Sequence, residues 1–208
     1  MKLVVLGATG GTGLEIVGQA IARGHSVTAF VRNPAAMIRF RNRIAIVDGN
    51  LLSRADMELA ISGHDAILSG FGPRVPVSKT DKTLMRDFAR TLTEAMGDTG
   101  VKRAVIISVA FLFKDSIIPP AYIFGRLFFP RTVADASAME NVFESSRLDW
   151  TIVRPPRLTD KALTGKYRVR EDHLPPLGFT ISRADVADFV LKAVEDPNTV
   201  RKIIGVCN

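Results

Sequence analysis

The chain has 208 residues, enough for one domain with a sizeable core and a modest insertion, and its composition of 47% hydrophobic and 24% charged residues excludes disordered and collagen-like chains. Its 28 Lys and Arg against 21 Asp and Glu leave a net charge of +7, which favours anionic ligands without choosing among dinucleotides, acidic substrates and nucleic acid. No apolar run approaches the roughly 20 residues of a membrane span, and Leu3 to Leu6 is cut by Gly7 too early for a signal peptide, so a cytoplasmic protein with no membrane partner is expected.

Lys2 to Leu6 is a continuous apolar run ending in glycine, as expected of a strand buried on both faces of a parallel sheet. Leu14, Val17, Gly18 and Ile21 then recur at helical spacing, and Gly24 closes that helix. Ser26 to Val31 and Arg43 to Val47 read as the second and third strands, Ala55 to Ile61 as a short helix, and Ala66 to Ser69 as the fourth strand. Leu84, Phe88, Leu92 and Ala95 place a helix over Lys82 to Met96, which Gly97 and Gly100 break, and Ala104 to Ser108 is a fifth strand. From Phe111 to Arg131 aromatics alternate with Pro119, Pro120 and Pro130, which reads as a long loop overhanging the site, with room for a short helix. Ala134 to Ser146 resumes as a helix, Trp150 to Val153 as a sixth strand stopped by Arg154-Pro155-Pro156, Arg183 to Val194 as a late helix, and Lys202 to Val206 as the final strand. The fold class that follows is α/β, a Rossmann-type doubly wound parallel sheet in a single domain, with ligands at the carboxyl ends of its strands.

Gly7, Gly10 and Gly13 form a GxxGxxG array, with Gly11 inside it, between the first strand and the first helix. Glycine there permits a sharp turn, close approach of backbone to a pyrophosphate, and tight helix packing that aims the helix N-terminus at the phosphates. Thr9 and Thr12 can add hydroxyl hydrogen bonds. Where an NAD-preferring protein places a carboxylate, after the second strand, this chain has Arg32; a guanidinium there suits a 2′-phosphate, so NADPH is the expected cofactor. Asp48, Asn50 and Leu51 follow the third strand and are expected at the adenine edge, and Phe71 and Gly72 follow the fourth, near the pyrophosphate and nicotinamide ribose. The basic run Arg39, Arg41 and Arg43 reads as a solvated face beside the nucleotide site, so nucleic acid is not expected as a partner.

The run from Lys2 to Gly13 with Val31-Arg32-Asn33-Pro34 resembles the atypical short-chain dehydrogenases of NAD(P)H-binding, NmrA-like fold. Ser108-Val109-Ala110-Phe111-Leu112, Arg154-Pro155-Pro156, Leu163-Thr164-Gly165-Lys166-Tyr167 and Ile181-Ser182-Arg183-Ala184-Asp185-Val186-Ala187 are similar to the NADPH flavin reductase and biliverdin-IXβ reductase branch. The resemblance implies hydride transfer from a nicotinamide to a flavin, quinone or related planar acceptor, with few catalytic side chains. It implies a positioning role for Ser108 as the catalytic serine near the nicotinamide, cofactor contact at Pro155, and acceptor contact at Phe111, Tyr122 and Arg157. Arg157 stands where flavin reductase relatives often carry histidine, and a guanidinium holds an anion rather than donating a proton. Ser108 reads equally as a serine bonded to backbone at a strand end. The aromatics of the insertion read as a stacking lid, as core or as a dimer contact, with monomer and homodimer both open.

Other chemistries find little support. Tyr122 is followed four residues later by Arg126 rather than the lysine of a Tyr-x-x-x-Lys pair, and the chain has no Gly-x-Ser-x-Gly elbow or Walker lysine. His25, His64 and His173 lack metal-ligand spacing, His25 is expected at the surface, and Cys207 is alone. The remaining rival function is a dinucleotide-sensing regulator of the NmrA kind, which binds NADP(H) without turnover.

Overall fold

The computed structural model describes residues 1–72, 83–113, 127 and 129–208. Strand β1 (Lys2–Leu6) is four-fifths buried because its residues face two cores in alternation. Leu3 and Val5 pack on one side of the sheet, and Val4 and Leu6 on the other. Strands β2 (Ser26–Val31), β3 (Ala45–Asp48), β4 (Ala66–Ser69), β5 (Arg103–Ile107) and β6 (Asp149–Arg154) extend the same sheet. Two of the three short strands β7 (Arg157–Thr159), β8 (Arg168–Glu171) and β9 (Thr180–Ser182) stand apart from it, and β10 (Lys202–Cys207) joins it. The sheet order is β3-β2-β1-β4-β5-β6-β10-β8, with β7 and β9 paired separately. All main-sheet pairings are parallel except that of β10 with β8.

Helices α1 (Gly11–Ala22) and α5 (Arg183–Glu195) cover one face, and α2 (Arg54–Ile61), α3 (Leu84–Thr99) and α4 (Pro130–Glu144) the other. This is the doubly wound fold expected from the alternation of periods. The order reverses at β1, which pairs with both β2 and β4, and the ligand crevice of such a sheet lies at the carboxyl ends of these strands.

The structure corrects several boundaries. Gly97 lies inside α3, and the helix ends at Gly100, whose φ of 74° is the left-handed value a C-terminal cap requires. Pro130 and Arg131 open α4 rather than closing a loop, since proline is well tolerated in a first turn. Arg43 and Ile44 precede β3, which begins at Ala45 and includes Asp48. The sheet is not purely parallel: β8, with every residue exposed, is an antiparallel edge. His25 stands at the turn between α1 and β2 as expected but is half-buried rather than exposed, its side chain 7% exposed between the Met1 amino group and Glu195.

Candidate functional site

At Gly7 and Gly13 the turn after β1 leaves no room for a side chain. Gly7 has φ 69°, and a Cβ there would lie 2.8 Å from the amide nitrogen of Phe71. A Cβ on Gly13 would meet the Gly7 carbonyl oxygen at 2.2 Å. Gly10 donates its amide to that same carbonyl at 3.0 Å, closing the turn. A Cβ on Gly70, just after β4, would stand 3.1 Å from the Gly13 amide nitrogen. The first helix is therefore seated directly on the ends of β1 and β4.

Three other helix N-termini are satisfied by side chains, while α4, which opens on Pro130, has no side-chain cap. Ser53 accepts from the Asp56 amide to cap α2, and Ser182 accepts from the Asp185 amide to cap α5. The amides of Met85 and Arg86 at the start of α3 donate to the Asp135 carboxylate of α4, at 2.9 and 3.1 Å. Helix α1 has Gly10 at its cap and no side-chain acceptor, and neither Thr9 nor Thr12 spends its hydroxyl on a partner among the described residues. Its first amides face the open end of the sheet, with Gly10 and Gly11 exposed and Thr12 and Gly13 buried behind them. Free amides, the positive end of the helix dipole and side-chain clearance fit a diphosphate.

The exposed charges that follow β2 are basic. Arg32 follows the last residue of β2 and is exposed, and Asn33 caps the Pro34–Phe40 turn by accepting from the Ala35 amide at 3.1 Å. Arg39, Arg41 and Arg43 are exposed on that turn and its exit, with Arg39 over the Phe40 ring at 4.7 Å. Asp48, paired in register with Val31, is exposed at the neighbouring strand end. Asn50 spends its side-chain oxygen on the Leu52 amide at 3.0 Å and its backbone amide on Asp56 at 2.9 Å, and Leu51 leans on the core under α2 and α3. Phe71 reaches the site with its backbone, since its ring packs on Phe88 with centroids 4.8 Å apart. Gly72 is exposed beside it.

At the other half of the crevice, Ser108 donates its amide to the Val153 carbonyl at 2.8 Å, and Ala110 to that of buried Pro155 at 3.1 Å. Ser108 is 5% exposed, and its Oγ has no hydrogen-bond partner among the described residues. A serine bonded to backbone at a strand end would have used that hydroxyl. Beyond it Phe111 and Phe129 stack, centroids 6.4 Å apart and rings inclined by 16°. Arg157 is exposed at the start of β7, beyond the double proline. Tyr122 and Arg126 lie outside the described residues, as does most of the 111–131 insertion.

Several supports were not singled out from the sequence as a site. Arg154, at the end of β6, binds the Glu140 carboxylate of α4 through both Nε, at 3.0 Å, and Nη2, and stacks over the Phe113 ring at 4.6 Å. This pair ties α4 to the segment carrying Phe111. Asp185 is fully buried and accepts from the amides of Thr164 and Gly165, the hydroxyls of Thr164 and Ser182, and the Asn208 amide group. Burial alone would raise its pKa; the donors, led by Asn208, outweigh it and hold the group at about 2. Tyr167, whose hydroxyl donates to Asp188 at 2.6 Å, has its pKa raised by burial and by that bond. The Leu163 to Tyr167 motif thus anchors a loop to α5 and is remote from acid-base work. The Ser182-x-x-Asp185 spacing is a helix-capping pattern that sequence reading could have recognised.

Residues 7–197 match the sequence pattern of a family described as NAD(P)H-binding. The chain belongs to the NAD(P)H-binding family. A candidate NAD-dependent epimerase/dehydratase of Bacillus halodurans is 26% identical and superposes with a TM-score of 0.86, covering 100% of this chain and 94% of its own. Two further structures share the fold. A short-chain dehydrogenase/reductase of Veillonella parvula, in complex with NADP, has 18% identity and a TM-score of 0.82, over 100% and 94% of the chains. ChuY, an anaerobilin reductase of Escherichia coli O157:H7, has 20% identity and a TM-score of 0.82, over 100% and 97%. This chain is accordingly NAD(P)H-binding by family, on a fold it shares with dehydrogenases and reductases. Among the described residues no helix is long and apolar enough to cross a membrane, and no cluster of His, Cys, Asp and Glu could hold a metal.

Proposed function

We propose that this protein is an oxidoreductase that uses NADPH to reduce a flavin, quinone or similar planar acceptor. The observation that carries the reading is the buried Ser108 hydroxyl just after β5, without a partner among the described residues, three positions before Phe111, whose ring stacks on Phe129. Bound NADPH supplies a hydride from its nicotinamide C4. The turn from Gly7 to Gly13 holds the diphosphate, and Arg32 selects the 2′-phosphate. Ser108 donates a hydrogen bond from Oγ that fixes the orientation of the nicotinamide end. Phe111 and Phe129 offer flat apolar surface to an aromatic acceptor and exclude water from one side. Arg157 offers a fixed positive charge to an acidic acceptor such as a flavin phosphate or a propionate. That the anaerobilin reductase shares this fold supports an acceptor of the same flat, conjugated kind.

Two variants test the roles separately. Arg32→Asp raises the dissociation constant of NADPH by about tenfold or more while leaving that of NADH nearly unchanged, as expected for loss of one charge-assisted contact. Ser108→Ala leaves NADPH affinity nearly unchanged and slows single-turnover reduction of FMN by about tenfold, because positioning acts on the reacting pair. Equal effects of Arg32→Asp on both dinucleotides, or an unchanged single-turnover rate for Ser108→Ala, would contradict these roles.

A further inference from the structure

Gly11 differs from the other glycines of the turn in what fills the space beside it. A Cβ on Gly7 or Gly13 would strike backbone, whereas the nearest atoms to one on Gly11 are all of the Arg183 side chain, with Cδ at 2.7 Å and Nε at 2.8 Å. Arg183 is the first residue of α5, which packs along α1 with the Ala184 carbonyl accepting from Gln19 Nε2 at 2.9 Å, and the Arg183 side chain extends from there to the start of α1. The guanidinium therefore rests against the first turn of α1, where the free amides are. Its acidic partner is Asp160, reached from Nη1 at 2.5 Å; the Asp160 side chain is 88% exposed. A strongly exposed carboxylate is a weak competitor for a guanidinium, because water screens the pair. A phosphate offers two charged oxygens in the geometry the guanidinium fork matches.

We infer that Arg183 is a binding residue for the cofactor diphosphate, with Asp160 as its resting partner, and that Gly11 is glycine to seat this side chain. The inference rests on the dinucleotide reading of the site and extends it to a residue outside the glycine turn and the β2 arginine. In the unliganded chain the Arg183 to Asp160 bridge holds the cation over the α1 N-terminus. A bound diphosphate takes over the guanidinium and leaves Asp160 to solvent. Arg32 and Arg183 then divide the cofactor between them, the first holding the 2′-phosphate and the second the diphosphate shared by NADPH and NADH.

The test titrates four proteins, wild type, Arg183→Gln, Asp160→Asn and Gly11→Ala, with NADPH, NADH and adenosine 2′-monophosphate, and records a thermal melt of each. Adenosine 2′-monophosphate carries the Arg32 target and no diphosphate. Arg183→Gln is expected to weaken NADPH and NADH by the same factor, about tenfold (~1.4 kcal/mol), and to leave adenosine 2′-monophosphate unchanged. Gly11→Ala, which displaces a flexible side chain rather than backbone, gives the same pattern at an unchanged melting temperature, and it carries the test if Arg183→Gln does not fold. Asp160→Asn, which keeps the cation and frees it, binds both dinucleotides as tightly as wild type or tighter. The inference is overturned if Arg183→Gln binds NADPH as wild type does, if adenosine 2′-monophosphate weakens in step, or if Asp160→Asn weakens the dinucleotides equally, which would make the bridge a structural tie. A wild-type protein that binds neither dinucleotide would overturn the proposed function along with it; a wild type that binds both beside an unaffected Arg183→Gln would overturn this inference alone.

Discussion

Replacing Gly13 with alanine tests the glycine turn against a control in the same helix. The added methyl would stand 2.2 Å from the Gly7 carbonyl oxygen and 2.8 Å from the Ala8 Cα, both backbone atoms that cannot rotate away. An ordinary contact is over an ångström longer than the first of these, so the helix must lift from the ends of β1 and β4. Overpacking of this kind costs typically 1–3 kcal/mol, and the upper end, about 3 kcal/mol, is expected where backbone meets backbone. For a domain of this size that lowers the melting temperature by roughly 6–12 °C. NADPH affinity should fall by about tenfold or more, because the α1 amides move with the helix. Gly18, also in α1, has nothing within 4 Å of its would-be Cβ. Gly18→Ala is therefore expected to stabilise by up to about 1 kcal/mol through helix propensity, with NADPH binding unchanged. Paired thermal melts and fluorescence titrations of NADPH read both outcomes. A Gly13→Ala protein that melts and binds like wild type would refute the close-approach argument.

Glu140→Gln leaves the Arg154 cation in its largely buried place without a counter-charge, which costs about 3 kcal/mol; a thermal melt should drop by roughly 6–12 °C, and an unchanged melt would show that the pair is dispensable. Asp185 has a folded pKa of about 2, below the ordinary unfolded value near 3.9, so its stabilising contribution is complete above pH ~4 and is lost as pH falls towards 2. Asp185→Asn should accordingly lose about 2 kcal/mol at neutral pH and show a shallower decline of stability over that acid range, measured by urea melts; parallel declines of variant and wild type would contradict the assignment.

The turn and its two flanking elements were legible because each rests on local rules. A buried strand, a glycine array and a helical period occupy consecutive residues, and β1, β2 and β4 fall on their expected bounds. Arg32 was legible for the same reason, as a residue one step past a strand end. Arg183 and Asp135 act across the fold: one lies against a glycine more than 170 positions earlier in the chain, the other caps a helix from 50 positions away. No periodicity records such partners. Strands β7, β8 and β9 are three or four residues long and carry too few side chains for an alternation to show, and the exposed Arg-Val-Arg-Glu of β8 reads as loop. Pro130 looked like a breaker and proved to be a first-turn residue, since proline marks both positions.

The most direct test of the central claim is the loss of NADPH absorbance on mixing with purified protein, with and without FMN, riboflavin or a simple quinone, repeated with NADH. The account predicts acceptor-dependent oxidation that favours NADPH over NADH. Tight NADPH binding with no oxidation on any acceptor would contradict it and make the protein a dinucleotide sensor.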